Sequence, residues 1–218
     1  MIMLKTEMKT LALILIGLVL LPFLLQAGGL TITSAVECVL LAVVGLGLNV
    51  LLGSTGLVSF GHGAWFGIGA YAVAIFQLRF FPNSVLEPLL LCVVLVAVAA
   101  LIIGALVLRR RGVYFSLLTL AFSALCFTVA FRWTALTGGE NGLGGIERRT
   151  IAGISLDQPL VFYAFVAVVA FVIAAFLLRL KNSPFGHVLV AIRENEVRTR
   201  FLGYPVMSYK LLAFVVSA

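Results

Sequence analysis

From Cys38 to Leu78 the chain runs for 41 residues without one Asp, Glu, Lys or Arg. Water-soluble folds expose ionised side chains far more often than that, whereas a helix crossing about 30 Å of hydrocarbon needs only about 20 mostly apolar residues. The run is long enough for two crossings. Four more charge-free stretches, Thr10–Val36, Pro88–Leu108, Gly112–Phe131 and Gln158–Leu178, can each supply one. Composition agrees: 63% of the 218 residues are hydrophobic and 11% charged, against about 25% charged in ordinary soluble domains.

The sequence therefore predicts an all-α polytopic membrane protein with about six full transmembrane helices, roughly Thr10–Gln26, Val36–Leu52, Gly56–Phe76, Pro88–Leu108, Gly112–Phe131 and Gln158–Leu178. A seventh starts near Val206 and stops at Ala218 partway through its apolar stretch, which reads as a C-terminal truncation, since a helix does not end comfortably in hydrocarbon. Residues 1–218 form one membrane domain, because spanning helices pack on one another rather than build separate water-shielded cores.

Charge sets the orientation. With the N-terminus in the cytoplasm, Lys5, Lys9, Arg109, Arg110, Arg111, Arg179, Lys181, Arg193, Arg198, Arg200 and Lys210 fall inside, and only Arg79, Arg132, Arg148 and Arg149 fall outside. That is the bias of the positive-inside rule. A single crossing within Cys38–Leu78 would invert everything downstream and lose it. The start also has the pattern of a secretory signal peptide, with Lys5 to Lys9, then Leu11–Leu25, then Gln26-Ala27-Gly28. A retained first helix is the preferred reading, because Leu25 rather than a small residue stands two positions before Ala27.

Several function classes drop out. The formal charge of +7 is not gathered into a basic patch interleaved with aromatics, so no nucleic-acid partner is expected. Cys38, Cys92 and Cys126 sit in apolar runs as small hydrophobes and suggest neither a disulfide nor a metal site. A phosphate-binding loop lacks its Gly-Lys-Ser/Thr. No series of carboxylates passes through the spans, which disfavours a proton-coupled carrier and favours a permease driven by a separate ATPase. A self-sufficient carrier or channel for a small polar solute is the alternative, and a membrane scaffold a third reading.

Three segments carry candidate functional residues. The first is Gly53–Tyr71, where Gly61, Gly63, Gly67 and Gly69 make one surface nearly free of side chains; Ser59, His62 and Tyr71, with Thr119 of the later span, are the other candidates for helix packing or a translocation path. Gly63 and Gly67, four apart, suit close helix crossing. The same glycines could instead interrupt the helix and line a translocation path. His62 reads as an interfacial, hydrogen-bonded histidine sooner than as a proton relay. The second is the outer loop Thr137–Ile146, in which Gly138, Gly139, Asn141 and Gly142 suit turns, either as a connector or as a contact for substrate or a docked protein. The third is the longest cytoplasmic loop, residues 181–207. There Phe185, Val188, Leu189 and Ile192 form an apolar face, Arg193, Glu194 and Glu196 are polar, and Gly203 and Pro205 end the pattern. Such a piece can lie on lipid headgroups or seat in a groove on a soluble partner.

Four blocks in order resemble the branched-chain amino-acid permeases of bacterial ABC importers, nearest the LivM-type subunit. They are Asn49–Leu57 with Ser59–Tyr71, then Arg111–Phe122 including Thr119, then Thr137–Leu143, then Ser183–Glu196 with Leu202-Gly203 and Lys210–Phe214. The resemblance implies a non-catalytic translocation subunit in a bacterial inner membrane. Its implied partners are a homologous second permease, two ATPase subunits that bind ATP and Mg, and a periplasmic substrate-binding protein. Phe185, Gly186, Ala191, Ile192, Arg193, Glu194, Asn195, Glu196 and Gly203 would form the segment that couples to the ATPases. Two departures stand out. Arg198 and Thr199 replace the small residues usual just after the loop's second acidic position, and Ser123–Ala130 lacks the acidic and basic pair often found there. The latter leaves urea, amides or aromatic acids open as substrates beside leucine, isoleucine and valine.

Overall fold

The computed structural model describes residues 2–110, 112–146, 150–151 and 154–218; Arg111, Arg148 and Arg149, which enter the charge bias, lie outside them. The order is α1 (Ile2–Ala27), α2 (Ile32–Asn49) continued by a π-helical turn (Val50–Thr55), α3 (His62–Arg79), α4 (Leu86–Val107), α5 (Val113–Arg132), the short α6 (Thr134–Thr137), a 3-10 turn (Gly139–Asn141), α7 (Pro159–Lys181), α8 (Pro184–Glu194), α9 (Glu196–Phe201) and α10 (Val206–Ser217). Between the 3-10 turn and α7, Thr150–Ile151 pairs antiparallel with Ile154–Ser155. This small hairpin is the sole sheet among the described residues.

Five stretches among the described residues are long and apolar enough to cross a membrane: Glu7–Ala27, Ile32–Thr55, Leu86–Val107, Val113–Arg132 and Pro159–Lys181. Their outward faces leave large apolar side chains such as Leu13, Val94, Ile102, Phe127 and Val168 uncovered, a surface suited to lipid. The sequence placed the third crossing at Gly56–Phe76, but helix α3 begins only at His62. Residues 56–61 are not helical, because Gly56 turns the backbone left-handed at φ 73°.

Two packing centres organise the helices. In the first, Ala35, Val36 and Val39 of α2 meet Tyr163, Val166 and Ala170 of α7, and Leu18, Leu21 and Leu25 of α1 close over them. Pro22 lies inside α1. A proline has no N–H, so the carbonyl four residues earlier loses its helical donor. The Tyr163 hydroxyl donates to that carbonyl, Leu18 O. Tyr163→Phe is expected to lower stability by about 1–2 kcal/mol, the penalty for a buried acceptor left unpaired, readable as a fall in the unfolding midpoint of the detergent-solubilised protein.

The second centre joins α3, α4, α5, α8, α10 and the π-helical turn around Leu51, Trp65, Phe115, Leu189, Ile192 and Phe214. Trp65 tilts against Phe122 at 5.1 Å and meets Phe214 edge-on at 5.9 Å. Gly104 makes room for this, since a Cβ there would lie 2.8 Å from Phe214 Cδ1. The second centre thus ties α8 and α10 to the longer helices of the bundle.

Candidate functional site

The break after α2 is built from small polar residues. Inside a membrane, backbone that leaves the helical pattern must find other partners. Ser116 Oγ donates to Val58 O at 2.7 Å, and Phe60 N donates to Thr119 Oγ1 at 3.0 Å. Two hydroxyls one turn apart on α5 thereby pair with alternate residues of the non-helical segment. Thr119 Oγ1 donates in turn to Ser116 O at 2.8 Å. Gly61 is required by this approach, because a Cβ there would sit 2.6 Å from Thr119 O.

Ser59 Oγ accepts from Gly61 N at 3.3 Å and bonds His62 Nδ1 at 3.1 Å. His62 is hydrogen-bonded and buried within the protein, at 7% exposure. Its Nε2 is buried without a hydrogen-bond partner among the described residues.

The glycines of α3 divide by role. Gly69 packs on α4, with Cys92 Sγ 3.8 Å from its Cβ position and donating to its carbonyl at 3.4 Å. Gly63 and Gly67 have nothing within 4 Å of theirs. Among the described residues no close crossing is made by that pair; both line a cavity of about 830 Å³ between α3 and α5. Tyr71, Ile75, Ser123, Cys126 and Ala130 continue its wall, and Gly139, Glu140, Asn141 and Gly142 border one end. The cavity brings two of the sequence's three candidate segments together.

Residues 134–142 form a packed turn. Thr137 Oγ1 reaches Ala130 O at 2.6 Å and Trp133 O at 2.7 Å, and Gly139 N donates to it at 3.3 Å. Gly138, Gly139 and Gly142 all have positive φ, where other residues would be strained. A Cβ on Gly138 would strike Gly142 O. Residues 134–142 are thus a fixed rim to the cavity rather than a loose connector.

On the opposite side, residues 181–207 fold into α8 and α9. Ser183 caps α8 by accepting from Gly186 N at 3.3 Å, with Pro184 in the first turn. Gly186 sits so close to the end of α7 that a Cβ would lie 2.6 Å from Leu180 O. Leu189 and Ile192 are buried, and Phe185 and Val188 pack beside them, the apolar face read from the sequence. Asn195 caps α9 by accepting from Arg198 N at 2.9 Å. Ala191, Glu194 and Arg198 are exposed, while Thr199 turns inward, its Oγ1 donating to Asn195 O at 2.9 Å. Gly203 ends α9 at φ 90°.

Two charged side chains tie this segment to the bundle. Arg193 donates from its guanidinium to Gly53 O at 2.7 Å. Glu196 pairs with Lys210 of α10 at 2.7 Å and with Arg200 at 3.3 Å.

The chain matches the model of the family described as branched-chain amino acid transport system, permease component, over residues 30–218. It belongs to that family. Among its relatives is the high-affinity branched-chain amino acid transport system permease protein LivM of Escherichia coli K12, 30% identical over 220 residues, which cover 90% of this chain and 51% of that protein. LivM of Salmonella typhimurium LT2 is 30% identical over 237 aligned positions, 98% of this chain and 55% of that one. A probable LivM of Methanocaldococcus jannaschii is 26% identical over 135 residues. The chain spans about half the length of the first two. No solved structure matches it. As a member of this permease family with several apolar helices, it is a multi-pass membrane protein.

Sequence reasoning missed the partners of these residues more than the residues themselves. Ser116 is the exception; its signal is its place one turn before Thr119 on a mostly apolar span. Lys210 enters the sequence reading through orientation and the resemblance block, and nothing in the sequence pairs it with Glu196.

Proposed function

We propose that this chain is a translocation subunit of an ATP-binding-cassette importer that moves branched-chain amino acids or related small molecules into the cytoplasm. The observation that carries the reading is the coupling segment. It is capped, seated in the core through Leu189 and Ile192, and still exposes Val197, Phe201 and Leu202 on the surface where a motor would dock. In this reading ATP and Mg are bound by two separate ATPase subunits, a homologous second permease completes the path, and a periplasmic binding protein delivers the solute to the rim at Gly138–Gly142. The chain itself catalyses nothing.

Six crossings with a cytoplasmic N-terminus, in a bacterial inner membrane, are part of the proposal. Besides the charge bias, three contacts support it. Asn182 Nδ2 donates to Glu7 Oε1 and Arg193 to Gly53 O, which groups the start of α1, the π-helical turn after α2, the end of α7 and the end of α8 on one side. Arg79 donates to Ala135 O at 3.1 Å, which groups the ends of α3 and α5 on the other. Six crossings need α3 as well; its 18 residues and the non-helical residues before it together cover the required depth. Closure of the ATPases would then shift α8 and α9 and bias the helices between inward-open and outward-open arrangements.

The test is co-purification and transport. The chain is expected to purify with an ATPase pair and to support ATP-dependent leucine uptake in proteoliposomes; uptake by this chain alone, without ATPases, would favour the carrier reading instead. Phe201, 87% exposed, is the side chain that gains most from being covered. Phe201→Asp is expected to weaken ATPase retention about tenfold or more, since burying such a side chain is worth about 1.5–3 kcal/mol, measurable by titrating purified ATPase onto the permease in nanodiscs.

A further inference from the structure

We infer that Arg193 is a positioning residue for transport, a pin that passes movement of α8 directly to the break at residues 56–61; this rests on the reading of the chain as an importer subunit. The last carbonyls of a helix have no donors within it. Here Gly56 N bonds Leu52 O and Leu57 N reaches back to Leu51 O, bypassing Gly53. The Arg193 guanidinium fills that place at 2.7 Å, and a cation at a helix C-terminus is also favoured by the helix dipole. Its stem lies over Gly56, where a Cβ would come within 3.1 Å of Arg193 Cγ.

Beyond Gly56 the chain is bonded onward without a gap. Val58 and Phe60 are held by Ser116 and Thr119, and α5 then carries Ser123, Cys126 and Ala130 into the wall of the cavity, opposite Gly63 and Gly67 of α3. The apolar contacts of Leu189 and Ile192 with the core can slide by a fraction of an ångström with little loss. A short charge-assisted hydrogen bond cannot, because it weakens steeply with distance and angle. Arg193 is therefore the contact through which a shift of the coupling helix bears on residue 53, and from there on the segment that seats α3.

The experiment uses the importer assembled with its ATPases and binding protein in proteoliposomes, and reads radiolabelled leucine taken up per ATP hydrolysed. Arg193→Met keeps the stem over Gly56 and removes the donor; Arg193→Lys keeps a charge and one donor. Arg193→Met is expected to lower leucine moved per ATP by about tenfold, the worth of one charge-assisted hydrogen bond, while hydrolysis continues and Arg193→Lys restores most of the coupling. Adding Thr119→Val to Arg193→Met is expected to lower the ratio little further, since both act on one segment. Wild-type coupling in Arg193→Met, fully multiplicative effects in the double variant, or loss of the assembled complex together with hydrolysis would each overturn the inference. A wild-type importer that hydrolyses ATP yet moves no leucine would instead strike the transport reading for that solute and the pin with it.

Discussion

Glu196→Ala is expected to lower the stability of the purified protein by about 3 kcal/mol, near the lower end of what removing one partner of a buried ion pair does. The Lys210 side chain is only 9% exposed and its ammonium lies 2.7 Å from the Glu196 carboxylate. Without that carboxylate the ammonium is left in a poorly solvated place. The two partners are not equivalent. Glu196 is 20% exposed and also meets Arg200, so Lys210→Met leaves it a cation and some water, and a smaller loss is expected. The double variant Glu196→Ala with Lys210→Met removes the stranded charge and is expected to recover part of the loss, which a double-mutant cycle on unfolding midpoints measures. Equal losses in the two single variants would contradict the asymmetry.

A loss of similar size, about 3 kcal/mol, is expected for the double variant Ser116→Ala with Thr119→Val, which strips the break of both hydroxyl partners. Thr119 is 2% exposed, so water cannot take its place beside Phe60 N, and Val58 O loses the Ser116 hydroxyl as well. Valine matches threonine in shape, so the change is chemical and not one of volume. Thr119→Ser, which keeps the hydroxyl, is expected to stay near wild type. Leucine uptake should fall further than stability alone dictates, because the freed segment is the one that seats α3 beside the cavity. Fluorescence-detected unfolding read together with uptake at matched protein levels separates the two effects.

These residues also show where sequence reading stopped. Elements bounded by charge or by proline were legible: the expected Pro88–Leu108 and Gln158–Leu178 lie close to the observed Leu86–Val107 and Pro159–Lys181. The break was not. Between Cys38 and Leu78 almost every residue is apolar or small, so no alternation of polar and apolar positions marks where the helix ends. Its position depends on Gly56 turning left-handed and on two hydroxyls supplied by the distant helix α5. The helix in residues 181–207 was legible because α8 is amphipathic, and there periodicity still carries information. Its pins were not, since Arg193 meets a main-chain carbonyl 140 positions earlier in sequence. Gly63 and Gly67 were singled out correctly as unusual, but the sequence could not tell whether open space or another helix faced them.

The most direct measurement is the sidedness of α9. Val197 is exposed, and Cys38, Cys92 and Cys126 are free thiols, so a single cysteine at position 197 would be introduced after replacing those three. A membrane-impermeant maleimide is expected to leave intact cells unlabelled there, to label inverted membrane vesicles, and to be blocked once the ATPases are bound. Labelling of intact cells from outside would contradict both the threading of the helices and the docking of a motor on this segment.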